Sequence, residues 1–132
     1  MQSKSLIRDR EQVKQVIDFT GLEKGKISPT DIDGIVEFNN KLLIAWEVKK
    51  ENNLMQTGQT LLYERINDAW VTEKGKTAFC VLLWHKVQDT TKSISTVNDC
   101  DIHSIYYKKK WYKYEGNKGF RELYFNWYDK FK

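Results

Sequence analysis

The sequence predicts an α/β domain, on three observations. Two apolar runs, Leu42 to Lys50 and Thr77 to His85, are too brief for typical helices and read as buried strands. Between them, Leu54 to Val71 carries Leu61, Leu62, Ile66, Ala69 and Trp70 at helical spacing, the face expected to meet the core. A chain of 132 residues holds one hydrophobic core and is too short for two ordinary domains.

Taken in order, Arg8 to Phe19 reads as a first helix, followed by an irregular stretch from Thr20 to Thr30. Gly21 and Gly25, with three Lys or Glu residues, make Thr20 to Ser28 the mobile element expected near the candidate site. Asp31 to Phe38 reads as a strand, and Asn39-Asn40-Lys41 supplies turn residues that tolerate positive φ, so a hairpin joins it to the strand at Leu42 to Lys50. After the helix and the strand at Thr77 to His85, Lys86 to Asn98 is a polar loop rich in Ser and Thr. Ile102 to Tyr114 reads as a strand pair turning at Lys108 to Lys110, and Gly119 precedes a terminal helix through Phe131.

Charge appears abruptly at the end of the Leu42 to Lys50 run. Side chains alternate along a strand, so Glu47 and Lys49 share one side while Trp46 and Val48 point to the other. Burying such groups costs several kcal/mol unless they are paired or bound to a metal. The hairpin register decides what they meet. A two-residue loop would turn Asp33 away from Glu47; a three-residue loop pairs Phe38 with Leu42, sets Asp33 opposite Glu47 and places Asp31 opposite Lys49. We expect the second register. Opposed carboxylates repel unless a cation lies between them, and hard oxygen donors suit Mg²⁺ or Mn²⁺. Cys80, His85, Cys100 and His103 lack the close paired spacing of a structural zinc site, and neither histidine is assigned a role.

These residues resemble the PD-(D/E)xK nuclease superfamily, which includes restriction endonucleases, Holliday junction resolvases and phage or recombination exonucleases. The run Pro29-Thr30-Asp31-Ile32-Asp33-Gly34, the triplet Glu47-Val48-Lys49, and Gln59 with Tyr63 carry the resemblance, which covers the middle of the chain. It implies a restriction endonuclease-like core, a central mixed β-sheet flanked by helices in αβββαβ order. By the same resemblance Asp33, Glu47 and the backbone carbonyl of Val48 hold Mg²⁺ or Mn²⁺. Lys49 orients the attacking water and stabilises developing charge, and Gln59 and Tyr63 match the glutamine-to-tyrosine motif of the exonuclease branch. Glu11 resembles the extra acidic residue of many resolvases, and Asp31 shares the parity of Asp33 as an alternative ligand. The implied activity is Mg-dependent hydrolysis of phosphodiester bonds in nucleic acid, DNA foremost, in phage or mobile-element replication, repair, recombination or defence, with a homodimer as one compatible assembly.

Each residue also has a plainer reading. Tyr63 shares a helix face with Ile66 and Trp70, so a core role stands beside substrate contact. An acid such as Glu11 near a helix start ordinarily does no more than favour the macrodipole. The formal net charge is +4, with the surplus near the C-terminus, where Ser104 to Lys132 holds eight Lys or Arg against three acids. There Lys108, Lys109, Lys110 and Lys113 interleave with aromatics, a composition that suits gripping phosphates and stacking bases, or equally a solvated hairpin that protects a sheet edge. A polar N-terminus from Met1 to Arg10 and the absence of a ~20-residue apolar run give the expectation of a cytoplasmic protein without a secretory signal, without a membrane partner and with free thiols.

Overall fold

The computed structural model describes residues 17–132. The chain divides into two units, Met1–Asp31 and Ile32–Lys132. In the first, a backbone bridge joins Lys24 and Ile27, Gly21 and Gly25 take positive φ, and Thr20 through Asp31 are exposed. The helix expected over Arg8 to Phe19, with Glu11, falls largely outside the described residues, and Ile17 to Phe19 carry no helix.

The second unit is a five-stranded sheet with two helices. Its elements are β1 (Gly34–Phe38), β2 (Leu42–Lys50), α1 (Thr57–Trp70), β3 (Thr77–His85), β4 (Cys100–Tyr107), β5 (Lys110–Lys113) and α2 (Phe120–Phe131). The strands lie in sequence order, with β2 and β3 parallel and the other neighbours antiparallel, which makes the sheet mixed as expected. Two strands precede α1 among the described residues. The parallel pair needs a crossover, and α1 supplies it.

The β1–β2 hairpin has the three-residue connection. Asn39 and Asn40 take φ of 54° and 59°, Lys41 N–H donates to the Phe38 carbonyl at 2.9 Å, and Phe38 pairs with Leu42. β1 is shorter than the strand expected from Asp31, because its ladder ends at Gly34 opposite Trp46. A Cβ on Gly34 would overlap the Trp46 indole, so the ring lies where any other side chain would stand.

Alternation sends the apolar residues of β2 and β3 to opposite faces of the sheet. Leu42, Ile44, Phe79, Val81 and Leu83 form one core with Phe120, against which Leu123, Tyr124, Trp127 and Phe131 of α2 pack. Phe79 stacks on Trp127 with ring centroids 4.0 Å apart. On the other face Ala45, Cys80 and Tyr106 pack with Tyr63 of α1. Cys80 and Cys100 are free and buried. Among the described residues no helix is long and apolar enough to cross a membrane.

The helix α1 departs from the expected packing. It starts at Thr57 rather than Leu54, and its buried residues are Tyr63 and Asn67, while Leu61 and Ala69 are exposed. Rotation of the helix toward Tyr63 follows from what lies beneath: the Tyr63 hydroxyl meets a buried carboxylate, and the Asn67 amide lies 3.6 Å from the Cys80 sulfur. An unmatched buried carboxylate is expensive, so satisfying it outweighs sinking Leu61 deeper.

Candidate active site

The β1–β2 register brings the two carboxylates together. With Gly34 opposite Trp46, the next residue outward on each strand is Asp33 and Glu47. Asp33 lies just beyond the ladder, and its Oδ2 accepts the Val48 N–H at 2.8 Å, so a side-chain oxygen takes the place of a strand carbonyl. Asp31, the alternative ligand, is exposed in the first unit, and the ladder does not reach a pairing with Lys49.

Glu47 is 5 % exposed on the face covered by α1. Its Oε1 accepts the Tyr63 hydroxyl at 2.7 Å, and its Oε2 accepts Gln59 Nε2 at 2.8 Å. The ammonium of Lys49 lies 3.6 Å from Oε2. Gln59 and Tyr63 are four residues apart on successive turns of α1, which is why one helix end can grip both oxygens. Burial raises the Glu47 pKa above its ordinary 4.5; Tyr63 opposes the shift, Asp33 adds repulsion, and Lys49 and Gln59 oppose it again. Burial and the neighbouring carboxylate likewise push the Tyr63 phenol upward, which keeps it a neutral donor.

Of the two readings of Tyr63, core residue and nucleic-acid contact, the structure shows the buried one. At 1 % exposure it cannot reach a polymer outside the fold, and its hydroxyl is engaged by Glu47 and by the Trp46 carbonyl at 2.9 Å. The basic segment also divides. The turn is Lys108-Lys109, with φ of 50° and 66°, rather than Lys108 to Lys110. Lys110 then pairs with Tyr107, on the α2 face, and Lys113 pairs with Ser104, on the α1 face. Four lysines expected to act together thus point three ways, and of the four Lys113 shares the face of Glu47 and Lys49.

Sequence reading missed the ties that fix α1 over the sheet. Tyr106 donates to Asp68 Oδ1 at 2.9 Å, and Trp111 Nε1 donates to Glu64 Oε2 at 2.6 Å. The signal was an acid at i and i+4 on α1 opposite polar-tipped aromatics, but no spacing links residues so far apart. His103, which drew no assignment, stacks on Trp84 at 4.1 Å. The β4 bulge opposite Leu82 and Leu83 accounts for it, because an extra residue lets His103 join the α1 face out of turn.

Chemically, the arrangement sets two hard carboxylates beside an ammonium. A carboxylate has about four lone-pair positions, so the two hydrogen bonds on Glu47 leave acceptor capacity. Asp33 uses one oxygen on Val48, and Asp33–Glu47 repulsion would be relieved by a cation. That donor set fits Mg²⁺ or Mn²⁺, although no group of three or more His, Cys, Asp or Glu side chains suited to a metal occurs among the described residues. In comparisons with known proteins, no family model, no curated protein and no solved structure matches the chain.

Proposed function

We propose that the chain is a metal-dependent nuclease that hydrolyses phosphodiester bonds, with DNA as the first substrate to test. The observation that carries the reading is the meeting of Asp33, Glu47 and Lys49 at one end of the hairpin, with Glu47 held by Gln59 and Tyr63. Nothing in a structural ion pair calls for an acid buried this deeply beside a second acid.

Asp33, Glu47 and the Val48 carbonyl would hold the ion. Once bound it lowers the pKa of water and neutralises charge growing on the phosphate oxygens. The protein's own groups do the rest. Gln59 and Tyr63 fix the carboxylate plane of Glu47, so the site is ordered before substrate arrives. Lys49, whose side chain is 29 % exposed, reaches solvent while staying beside Glu47; there its ammonium orients the attacking water and steadies the charge of the pentacoordinate phosphorus. Its partial exposure suits a group that must touch both carboxylate and substrate.

A second reading is a nuclease-like binding protein without turnover, favoured by the engagement of both Glu47 oxygens in hydrogen bonds. Cleavage separates the two. Labelled single-stranded, duplex and four-way-junction DNA, with single-stranded RNA alongside, would be incubated in Mg²⁺, Mn²⁺ or EDTA with wild type, Glu47→Gln and Lys49→Ala. The nuclease reading expects products in metal alone, reduced roughly 100-fold or more in each variant. Products that survive EDTA or both substitutions would overturn it, and binding without products would favour the second reading.

A further inference from the structure

A pocket of about 290 Å³ opens on the α1 face beside the candidate active site, walled in part by Glu51, Trp84, Lys86, Asp101, His103 and Lys113. Its position follows from the register. Glu47, Leu82, Ser104 and Lys113 form one row across β2 to β5, and Lys49, Trp84 and Asp101 form the next row outward. Three strand spacings put Lys113 about 14 Å from Glu47. The helix α1 does not cover this outer row, because its first turn sets Gln59 against Glu47 and the helix runs back to Trp70, whose indole reaches the Lys41 carbonyl.

We propose that this pocket is a subsite for one unpaired nucleotide, its base continuing the Trp84–His103 stack and its phosphate meeting Lys113. The proposal rests on the nuclease reading only in assigning that nucleotide to the strand being cut. The two rings lie 4.1 Å apart and 29° from parallel, so they stack face to face and a base can extend the stack only on an outer face of the pair, and Trp84 is held in place by its Nε1–H donation to the Asn53 carbonyl at 2.8 Å. Burial and the Lys113 ammonium lower the His103 pKa, which keeps the imidazole neutral for stacking.

The charges sort the two ends of a nucleotide. Asp101 and Glu51 repel phosphate and accept hydrogen bonds, which suits the exocyclic amino groups of a base. Lys86 lies 3.8 Å from Glu51, and Lys113 is exposed on the β5 side, open to a backbone phosphate. A base inside a duplex has both faces stacked and its edge paired, so only an unpaired or extruded one can enter.

The test is equilibrium binding of fluorescent single-stranded DNA and RNA ten-mers and a blunt DNA duplex, in EDTA so that nothing is cut, by wild type, His103→Ala and Lys113→Ala. Circular dichroism would verify that both variants are folded. Wild type should favour a single strand over the duplex. His103→Ala should weaken single-strand binding roughly tenfold without changing the salt slope. Lys113→Ala should weaken it and reduce that slope by about 0.7. Duplex binding equal to single-strand binding, no single-strand binding by wild type, or folded variants that bind like wild type would each overturn the subsite. If cleavage fails while these losses appear, the subsite stands and the nuclease reading falls; metal-dependent cleavage with unchanged binding in both variants gives the reverse.

Discussion

At Glu47, burial favours the neutral acid, while Tyr63, Lys49 and Gln59 favour the anion, and burial is the largest influence. A folded-state pKa above 4.5 means that the native protein retains a proton the unfolded chain has released. The stability contributed by that proton is fully present below 4.5 and is lost as pH rises through the raised folded value. In EDTA, wild type should therefore lose more thermal stability between acid and neutral pH than Glu47→Gln does; parallel profiles for the two proteins would contradict this. Mg²⁺ at about 100 times its Kd should add about 2.7 kcal/mol to wild type at neutral pH, and little to Glu47→Gln. Tyr63→Phe removes the 2.7 Å donor from a buried carboxylate. We expect a cost of about 1–3 kcal/mol in urea unfolding, with the acid limb of the cleavage pH profile moved upward, because the anion loses its strongest hydrogen-bonding support.

At the scale of elements, the hairpin and the α1 clamp hold the site. Gly34 leaves room for Trp46, whose ring also meets Phe120 of α2 at 5.3 Å. Gly34→Ala should destabilise by roughly 1–3 kcal/mol through overpacking, and Gly34→Ala combined with Trp46→Leu should cost less than the sum of the two changes. Additive costs in urea melts would show that the ring and the glycine do not answer one another. On the other face, Trp111 to Glu64 and Tyr106 to Asp68 tie β5 and β4 to α1. Trp111→Phe deletes a bond to a carboxylate and should cost about 1.5–3 kcal/mol in the same assay.

Across the molecule, α2 and α1 clamp opposite faces of one sheet, and Phe79 is central to the α2 side through Trp127 and Tyr107. Phe79→Ala should lower stability by about 3–5 kcal/mol in urea unfolding; a loss below 1 kcal/mol would mean that α2 docks without it. Much of this architecture was legible in the chain. The limits of β2, β3 and α2 match their sequence readings because long apolar runs and Gly119 mark them, and the register follows from Asn39 and Asn40, which accept positive φ. The rotation of α1 was hidden, since Leu61, Leu62 and Ala69 advertise a more apolar face than the polar-tipped one on which Tyr63 and Asn67 are buried. The division of the lysines was hidden too, because moving a turn by one residue reverses every side chain beyond it. Asp33, Glu47, Lys49, Gln59 and Tyr63 all fall within one short stretch of chain, contributed by the β1–β2 hairpin and the helix that follows it. Their mutual contacts close only short loops, whereas docking β4 and β5 on α1, through Tyr106 to Asp68 and Trp111 to Glu64, and packing α2 on the sheet join residues much farther apart in the chain. In folding, the chemical centre should thus belong to the early nucleus: substitutions at Tyr63 should slow refolding, and those at Trp127 should mainly hasten unfolding.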